Sequence, residues 1–259
     1  MKEIEDFYDF QYDEWSRLDR HKIEFDITKK YLDAYISESG LSIIDIGGGP
    51  GRYAFYLAQK GHCVTLVDLS SKNITVAMEK SLELGLPLAE CVQGNALHLE
   101  MFQQVYDVVM LMGPLYHLTR LEERQNAVQQ AYRLLKPGGL FIASFISAYA
   151  PMQSVLSDPL SIENPSDLLR YLKDGVNPKD AGFTVAYFSG VREARQLMAE
   201  VGLKELAFAG VENILGCKER EITALEQEKY DVWVQVAYEL SQDESVFGVS
   251  QHFLYMGRK

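Results

Sequence analysis

One carboxylate and four glycines stand close together in the stretch LSIIDIGGGPG, at Asp45, Gly47, Gly48, Gly49 and Gly51. Glycines at such a turn let the backbone approach a ligand closely, because a Cβ there would collide with the ligand. The apolar residues before the turn predict a buried parallel strand, and residues 52–60 (RYAFYLAQK) after it predict an amphipathic helix. Strand, glycine turn and helix in this order hold a nucleotide-like ligand above the strand ends of a doubly wound sheet.

The spacing of the glycines separates two kinds of ligand. A dinucleotide fingerprint requires G-x-G-x-x-G, but counting from Gly47 and Gly49 the third position falls on Arg52. The sequence instead reads D-x-G-x-G-x-G, which resembles motif I of the class I S-adenosylmethionine (SAM)-dependent methyltransferases. The resemblance implies SAM as cofactor and S-adenosylhomocysteine (SAH) as product. It leaves an NAD-dependent oxidoreductase as a remote alternative.

A second carboxylate follows the next predicted strand, residues 62–67. Asp68 lies about twenty residues beyond the glycine turn, where such sheets place an acid that accepts hydrogen bonds from ribose hydroxyls. The alternative is that Asp68 only caps the following helix, which begins near Ser70. We expect the ribose role, with Leu69 beside the adenine.

The third predicted strand, residues 88–92, is followed by Asn95 and Ala96, which we also expect at the cofactor. In the family an acid often stands at the position of Asn95 and hydrogen-bonds the adenine amino group. The amide oxygen of Asn95 can still accept that bond, and its NH2 group can donate to a ring nitrogen.

The fourth predicted strand, residues 105–112, ends at Met112, a further predicted cofactor contact. The string GPLYHL follows at residues 113–118 and resembles a subgroup of small-molecule methyltransferases. The L-K-P-G-G string before the fifth predicted strand, residues 140–146, is expected as a turn and is another habitual feature of the family.

Tyr116 and His117 in the GPLYHL string are the predicted catalytic residues. Methyl transfer needs a base only where the acceptor atom must lose a proton, and histidine titrates in the useful range. The alternative for His117 is a structural histidine that holds its loop. His252, at the start of the last predicted strand, is a weaker candidate for a base. We expect no metal.

The first 38 residues predict an N-terminal helical cap that either packs on the domain edge or closes over the ligand. The stretch YDEWSRLDRHK favours closure, because it mixes aromatic and basic side chains densely. Tyr12 and Trp15, together with Tyr116, are candidates for an aromatic wall at the sulfonium of SAM, since aromatic faces attract cations. Arg20 is the candidate for the methionine carboxylate.

The fold class expected is α/β: one domain, residues 1–259, with a doubly wound seven-stranded sheet, mostly parallel and with its last strand antiparallel. Residues 147–188 are expected as a lid insertion over the ligand end of the sheet. Further on, the pattern predicts a helix over 191–201, a strand over 203–209, a long helix over 219–240 and the last strand over 250–258.

Composition narrows the acceptor and the compartment. A net charge of −12 argues against a nucleic-acid substrate gripped by its phosphates. No apolar run is long enough to span a bilayer, so no membrane contact is expected. Three unpatterned cysteines indicate reduced thiols in a cytoplasmic protein. The prediction is a methyltransferase for a small-molecule acceptor, as monomer or homodimer. A methyltransferase for RNA or protein, and a non-catalytic SAM-binding regulator, are the alternatives.

Overall fold

The computed structural model describes residues 1–156, 160, 162–177 and 183–259. The described residues form nine strands: β1 Ser42–Ile46, β2 Cys63–Asp68, β3 Glu90–Gln93, β4 Tyr106–Leu111, β5 Leu135–Ile146, β6 Val176–Asn177, β7 Ala186–Tyr187, β8 Lys204–Gly210 and β9 His252–Arg258. Within these ranges, no helix is long and apolar enough to cross a membrane.

Seven of the strands form one sheet in the order β3-β2-β1-β4-β5-β9-β8. The pairs from β3 to β5 are parallel, whereas β9 runs antiparallel to both of its neighbours, β5 and β8. The predicted seven-stranded fold with an antiparallel last strand is confirmed. One consequence matters for the site: the first residues of β9 lie at the edge of the sheet where the parallel strands end.

The helices are α1 Lys2–Phe10, α2 Arg17–Arg20, α3 Lys22–Tyr35, α4 Arg52–Gln59, α5 Ser71–Leu84, α6 Leu121–Arg133, α7 Ala150–Leu156, α8 Leu169–Lys173, α9 Val191–Ala199, α10 Glu219–Thr223 and α11 Gln227–Leu240. Together they cover the sheet on both sides. Ile43 and Ile44, neighbours on β1, therefore face two different apolar clusters, and both are fully buried. A strand buried on both faces is mostly apolar, and four of the six residues 41–46 (LSIIDI) are apolar.

Two predicted elements differ from the structure. The L-K-P-G-G string is not a turn before β5 but lies inside that strand, where the register with β4 shifts after the Tyr106–Leu135 pair. Gly138 there has a φ of +75°, so the extra residues form an irregularity in the strand. The long helix expected over 219–240 is two helices, α10 and α11, separated by Ala224, Leu225 and Glu226.

Residues 147–188 connect β5 to α9, as the predicted insertion requires. They contain α7, a 3-10 turn at Pro165–Leu168, α8 and the short antiparallel pair β6–β7. Residues 157–159, 161 and 178–182 of the predicted insertion lie outside the described residues. The described part has its own small apolar cluster, in which Tyr171 and Phe188 pack against Ile146 at the end of β5.

Candidate functional site

The glycine turn after β1 is held against β2 by its backbone. The N–H groups of Gly47 and Gly48 donate to the carbonyl of Val67, over 2.7 and 3.3 Å. Gly47 has a φ of +74°, and a Cβ on it would lie 2.4 Å from Cδ of Pro114. The loop after β4 therefore presses directly on the turn, and only glycine fits there.

Asp68, at the end of β2, joins the glycine turn to the start of α5. Its carboxylate accepts from the backbone N–H of Gly49 at 2.8 Å, from that of Ser70 at 2.9 Å and from Nδ2 of Asn73 at 3.1 Å. Burial raises the pKa of Asp68 even though these donors oppose the rise. Asp68 therefore orders the start of α5, as the helix-cap alternative expects, and it also lines a cavity; its ribose role stays a prediction.

A cavity opens above the turn. Most of the predicted cofactor and catalytic residues line it, namely Gly47, Gly48, Gly49, Asp68, Leu69, Asn95, Ala96, Met112, Tyr116 and His117. They come from the ends of four neighbouring parallel strands, the edge at which doubly wound sheets bind ligands. The oxygen of Asn95 accepts from the N–H of Leu97 at 2.9 Å, which turns its NH2 group to other partners.

Two residues of the motif lie behind this cavity wall. Asp45 is fully buried under Gly48, whose Cβ would meet the Asp45 carboxylate at 2.4 Å. Neither oxygen of that carboxylate has a hydrogen-bond partner, and burial, with a smaller effect of Asp68, raises the pKa of Asp45 to about 7. Gly51 precedes α4 with a φ of +91° and packs against Leu66 and Phe55.

The predicted N-terminal contacts divide among different surroundings. Tyr12 lines a second cavity, described below. Trp15 lines neither cavity: its carbonyl accepts from Arg52 at 2.8 Å and its ring packs against Phe55. Arg20 lies at the surface, 5.9 Å from the Tyr12 ring, and also lines neither cavity.

Arg17, which the sequence reasoning did not select, lines both cavities, whereas Arg20 lines neither. Its guanidinium binds both oxygens of Glu24, over 2.7 and 2.8 Å, and its Nε lies 3.4 Å from Glu14. Burial, with opposing effects of Arg17, raises the pKa of Glu14 to about 7. Arg17 stands in the basic and aromatic stretch that drew attention in the sequence. Helix α2, which turns Arg17 inward, is only four residues long, and no pattern in the sequence predicts it.

The second cavity lies against the described part of residues 147–188. Its wall includes Ile146, Ala150, Pro151, Leu168, Tyr171, Phe183, Phe188 and His252. Four side chains line both cavities and so form the partition between them: Tyr8, Glu14, Arg17 and Tyr116. Tyr8 is on α1, which also brings Met1 and Ile4 to the first cavity.

His117 makes contacts at both ring nitrogens. Nε2 lies 2.8 Å from the hydroxyl of Tyr8, and Nδ1 lies 3.3 Å from the carbonyl of Val185. A carbonyl only accepts, so Nδ1 carries the proton and Nε2 accepts from Tyr8. Burial lowers the pKa of His117 to about 4. The ring ties α1, the loop after β4 and the segment before β7 together.

A cluster of three side chains lies next to Arg17 of the partition: His252 lines the second cavity, Glu24 lines the first, and Glu212 is fully buried. Glu24, Glu212 and His252 each place one ligand-type atom within 4.8 Å of the others. Arg17 already holds both oxygens of Glu24, so the four groups can balance their charges as two cations and two anions. The expectation of no metal stays a prediction.

Comparisons with known proteins agree with this geometry. Residues 43–139 match the family model described as a methyltransferase domain. The ubiquinone/menaquinone biosynthesis C-methyltransferase UbiE of Bartonella tribocorum is 28% identical over 178 residues, 61% of this chain and 67% of that protein. The ubiquinone biosynthesis O-methyltransferase of Chromobacterium violaceum is 33% identical over 121 residues, 46% of this chain and 50% of that protein. The chain thus spans about half to two thirds of the length of these relatives.

The fold has solved counterparts. The N-methyltransferase NodS of Bradyrhizobium japonicum, in complex with SAH, superimposes with a TM-score of 0.58 at 13% identity, over 97% of this chain and 94% of that one. The likeness in fold therefore extends well beyond residues 43–139. Residues 43–139 of this chain thus match a methyltransferase domain, and the fold is that of the SAM-dependent methyltransferases, as the D-x-G-x-G-x-G motif predicted.

Proposed function

We propose that this chain transfers a methyl group from SAM to a small-molecule acceptor, with the cofactor in the first cavity and the acceptor in the second. The observation that carries the proposal is the shared partition. Two adjoining cavities that meet at Tyr8, Glu14, Arg17 and Tyr116 would let a donor and an acceptor meet end to end. SAM supplies an electrophilic methyl on a sulfonium, so alignment is the main task of the protein.

The first cavity fits SAM through its polar groups. Gly47 and Gly49 have no Cβ, so a ligand can approach the backbone closely there. Asp68 has lone pairs left to accept hydrogen bonds from ribose hydroxyls. Asp45 lies behind the wall under Gly48, so its unpartnered carboxylate would reach the ammonium of SAM only through water. Leu69, Asn95 and Ala96 would hold the adenine. Arg17, already inside the wall, is a better candidate than Arg20 for the methionine carboxylate.

The partition and the two coverings would keep water from the reacting atoms. Tyr8 and Tyr116 offer aromatic surfaces where the sulfonium would lie. The N-terminal residues Met1 and Ile4 would cap the adenine end, and the described parts of residues 147–188 would cover the acceptor. Tyr116 is placed to contact both reactants. His117, with both nitrogens engaged and its pKa near 4, fits a positioning role better than that of a base.

The acceptor cavity favours a partly apolar small molecule. Its wall is rich in aromatic and aliphatic side chains, and the chain carries a net charge of −12. The relatives named for ubiquinone and menaquinone biosynthesis make phenolic and quinol rings sensible probes. Their identities do not define the acceptor of this chain.

The test is transfer of label from methyl-tritiated SAM to catechol, 1,4-benzoquinol, tyramine, 2-mercaptoethanol and bulk tRNA. We expect label in one or more of the small molecules and none in tRNA. Label in tRNA alone would favour the nucleic-acid alternative. SAH binding without transfer to any probe or to the protein itself would favour a non-catalytic SAM-binding regulator.

A further inference from the structure

His252 and Glu212 reach the acceptor cavity because of the antiparallel last strand. His252 begins β9 and pairs with Ile146, the last residue of β5. Glu212 lies just beyond the end of β8, whose last residue, Gly210, pairs with Phe253. Both side chains therefore stand at the edge of the sheet that carries the glycine turn. Forty residues separate them in sequence, and only the sheet topology brings them together.

Glu212 contacts both the ring and the backbone of His252. One carboxylate oxygen contacts Nδ1 of His252, and the other accepts from the backbone N–H of His252 at 2.8 Å and from the hydroxyl of Ser250 at 3.0 Å. The Ser250 hydroxyl in turn accepts from the N–H groups of Glu212 and Asn213. These bonds fix the orientation of the Glu212 carboxylate. They place the proton of the neutral imidazole on Nδ1.

The other edge of the imidazole is left for the cavity. Glu212 is fully buried, whereas the His252 side chain is 13% exposed and lines the acceptor cavity. Within the described ranges, Nε2 of His252 has no hydrogen-bond partner, yet it is not among the buried unsatisfied atoms. An imidazole with Nδ1 held by a carboxylate and Nε2 open to a substrate pocket is arranged to accept a proton.

Three charged groups from three elements surround the ring. Glu24 on α3 lies 3.6 Å from Nδ1, Glu212 follows β8, and Arg17 on α2 neutralises Glu24. Burial opposes a charge on His252, but the two carboxylates outweigh it and raise its pKa, with Arg17 acting against them. His21 and Arg170 stand elsewhere on the same cavity wall. His252 is thus a stronger base than a free imidazole.

We propose that His252 is the catalytic base for the acceptor and that Glu212 is its positioning residue. This rests on the proposed function and narrows the acceptor to a molecule methylated at an atom that must lose a proton, such as a phenol or an enol. The acceptor X–H bond breaks and its proton goes to Nε2 of His252. The X–CH3 bond forms as the S–CH3 bond breaks, and its electron pair stays on sulfur, which leaves SAH and an imidazolium held by Glu212.

The arrangement is tested first without any acceptor. Nitrogen-15 NMR of histidine-labelled protein saturated with SAH reads the tautomer and the pKa of each ring. We expect His252 to titrate above the ordinary histidine value and, when neutral, to carry its proton on Nδ1. In Glu212→Gln, Ser250 and the backbone of His252 still require an acceptor, so the amide NH2 must face Nδ1. The pKa of His252 should then fall and its proton should move to Nε2. A wild-type ring with its proton on Nε2 would overturn the proposal.

The catalytic step is tested with whichever of catechol and 1,4-benzoquinol the wild-type protein methylates. His252→Asn keeps an N–H for Glu212 and removes the part of the ring that carries Nε2. Its turnover should fall about 100-fold or more while the Kd for SAH stays within twofold. The defect should shrink at high pH, where the probe ionises without a base. His62→Gln is the matched control, since His62 lies at the opposite end of β2, and it should keep the wild-type pH–rate profile.

The outcomes separate the two proposals. If the wild-type protein transfers methyl groups and His252→Asn does so equally fast across pH, the base assignment is wrong and the proposed function stands. If the wild-type protein binds no SAH, the proposed function itself has failed. Wild-type transfer to tyramine or 2-mercaptoethanol alone, with no loss in His252→Asn, would also overturn the base assignment.

Discussion

At the scale of single residues, the spacing of the glycines after β1 determines the backbone conformation of the turn. Gly47 combines a left-handed backbone with a site that Pro114 closes from above. Spacing predicted the turn because the left-handed backbone is a local requirement that glycine meets, whereas the contact with Pro114 is long-range and could not be predicted. Spacing gave no warning that Asp45, although in the motif, would lie behind the wall, since that depends on how Gly48 covers it.

Gly47→Ala should weaken SAH binding about tenfold or more, because its Cβ overlaps Pro114 and moves the turn. The matched control is Gly85→Ala, whose φ of +64° is similarly left-handed but whose Cβ meets nothing within 4 Å. Both variants should lose about 1–2 kcal/mol of unfolding free energy from backbone strain. Gly47→Ala alone should lose further unfolding free energy, because of the overlap with Pro114, and it alone should bind SAH more weakly. Equal SAH affinities in the two variants, by calorimetry, would contradict the role given to the turn.

Asp45 should make the stability of the ligand-free protein depend on pH. Its pKa rises from 3.8 in the unfolded chain to about 7 in the folded one, so the folded state binds the proton more tightly. Its contribution is fully present below pH 3.8 and is lost as the pH rises through 7. The loss reaches up to about 4 kcal/mol.

Asp45→Asn has no charge to bury and should escape that loss. Urea unfolding between pH 4 and pH 8 gives the free energy of unfolding of both proteins. The value for the variant relative to that for the wild-type protein should rise up to about pH 7 and stay constant above it. A stability difference that is flat over this range would mean that Asp45 is not buried as a charge-sensitive group.

At the scale of elements, α1 connects the cofactor cavity to α5. Asp9 near its end accepts from the Ser70 hydroxyl at 2.5 Å and from the N–H of Lys72 at 3.2 Å. A carboxylate over the first turn of a helix is favoured by the unpaired N–H groups there. The same helix places Met1, Ile4 and Tyr8 on the cavity wall. Docking of α1 and formation of the cavity are therefore linked.

Asp9→Ala should loosen α1 and lower SAH affinity several-fold, with about 1 kcal/mol lost from the free energy of unfolding. Hydrogen exchange in α1 should be faster in the variant, and SAH should slow it less than in the wild-type protein. Asp6→Ala is the control on the same helix, because Asp6 pairs with Lys2 at the surface. If the two variants exchange and bind alike, α1 does not cover the cofactor.

The short elements explain why the N-terminal contacts were only partly predictable. Residues 1–38 were expected to be helical, and three helices form there. The sequence offers no periodicity over a helix as short as α2, so whether Arg17 or Arg20 faces inward was not decidable. Trp15 is held by Arg52, a partner 37 residues away, and long-range pairs of this kind leave no local pattern.

At the scale of the whole molecule, strands and order were the most predictable features. The β-branched runs of β1, β2 and β4 marked the buried centre of the sheet, and the family resemblance supplied its topology. Contacts between residues far apart in sequence could not be predicted, because they form only when the whole sheet has assembled. The Tyr8–His117 bond spans 109 residues and the Glu212–His252 pair spans 40. The partition between the two cavities is made of such contacts.

The central claim is that the cavity above the glycine turn holds SAM beside a separate acceptor cavity. Isothermal titration of SAH into the wild-type protein tests it most directly, with Asp68→Ala beside it and NAD as a second ligand. We predict one SAH site per chain, an affinity at least tenfold weaker in Asp68→Ala, and no heat from NAD. Binding of NAD, or wild-type protein that takes up no SAH, would contradict the claim.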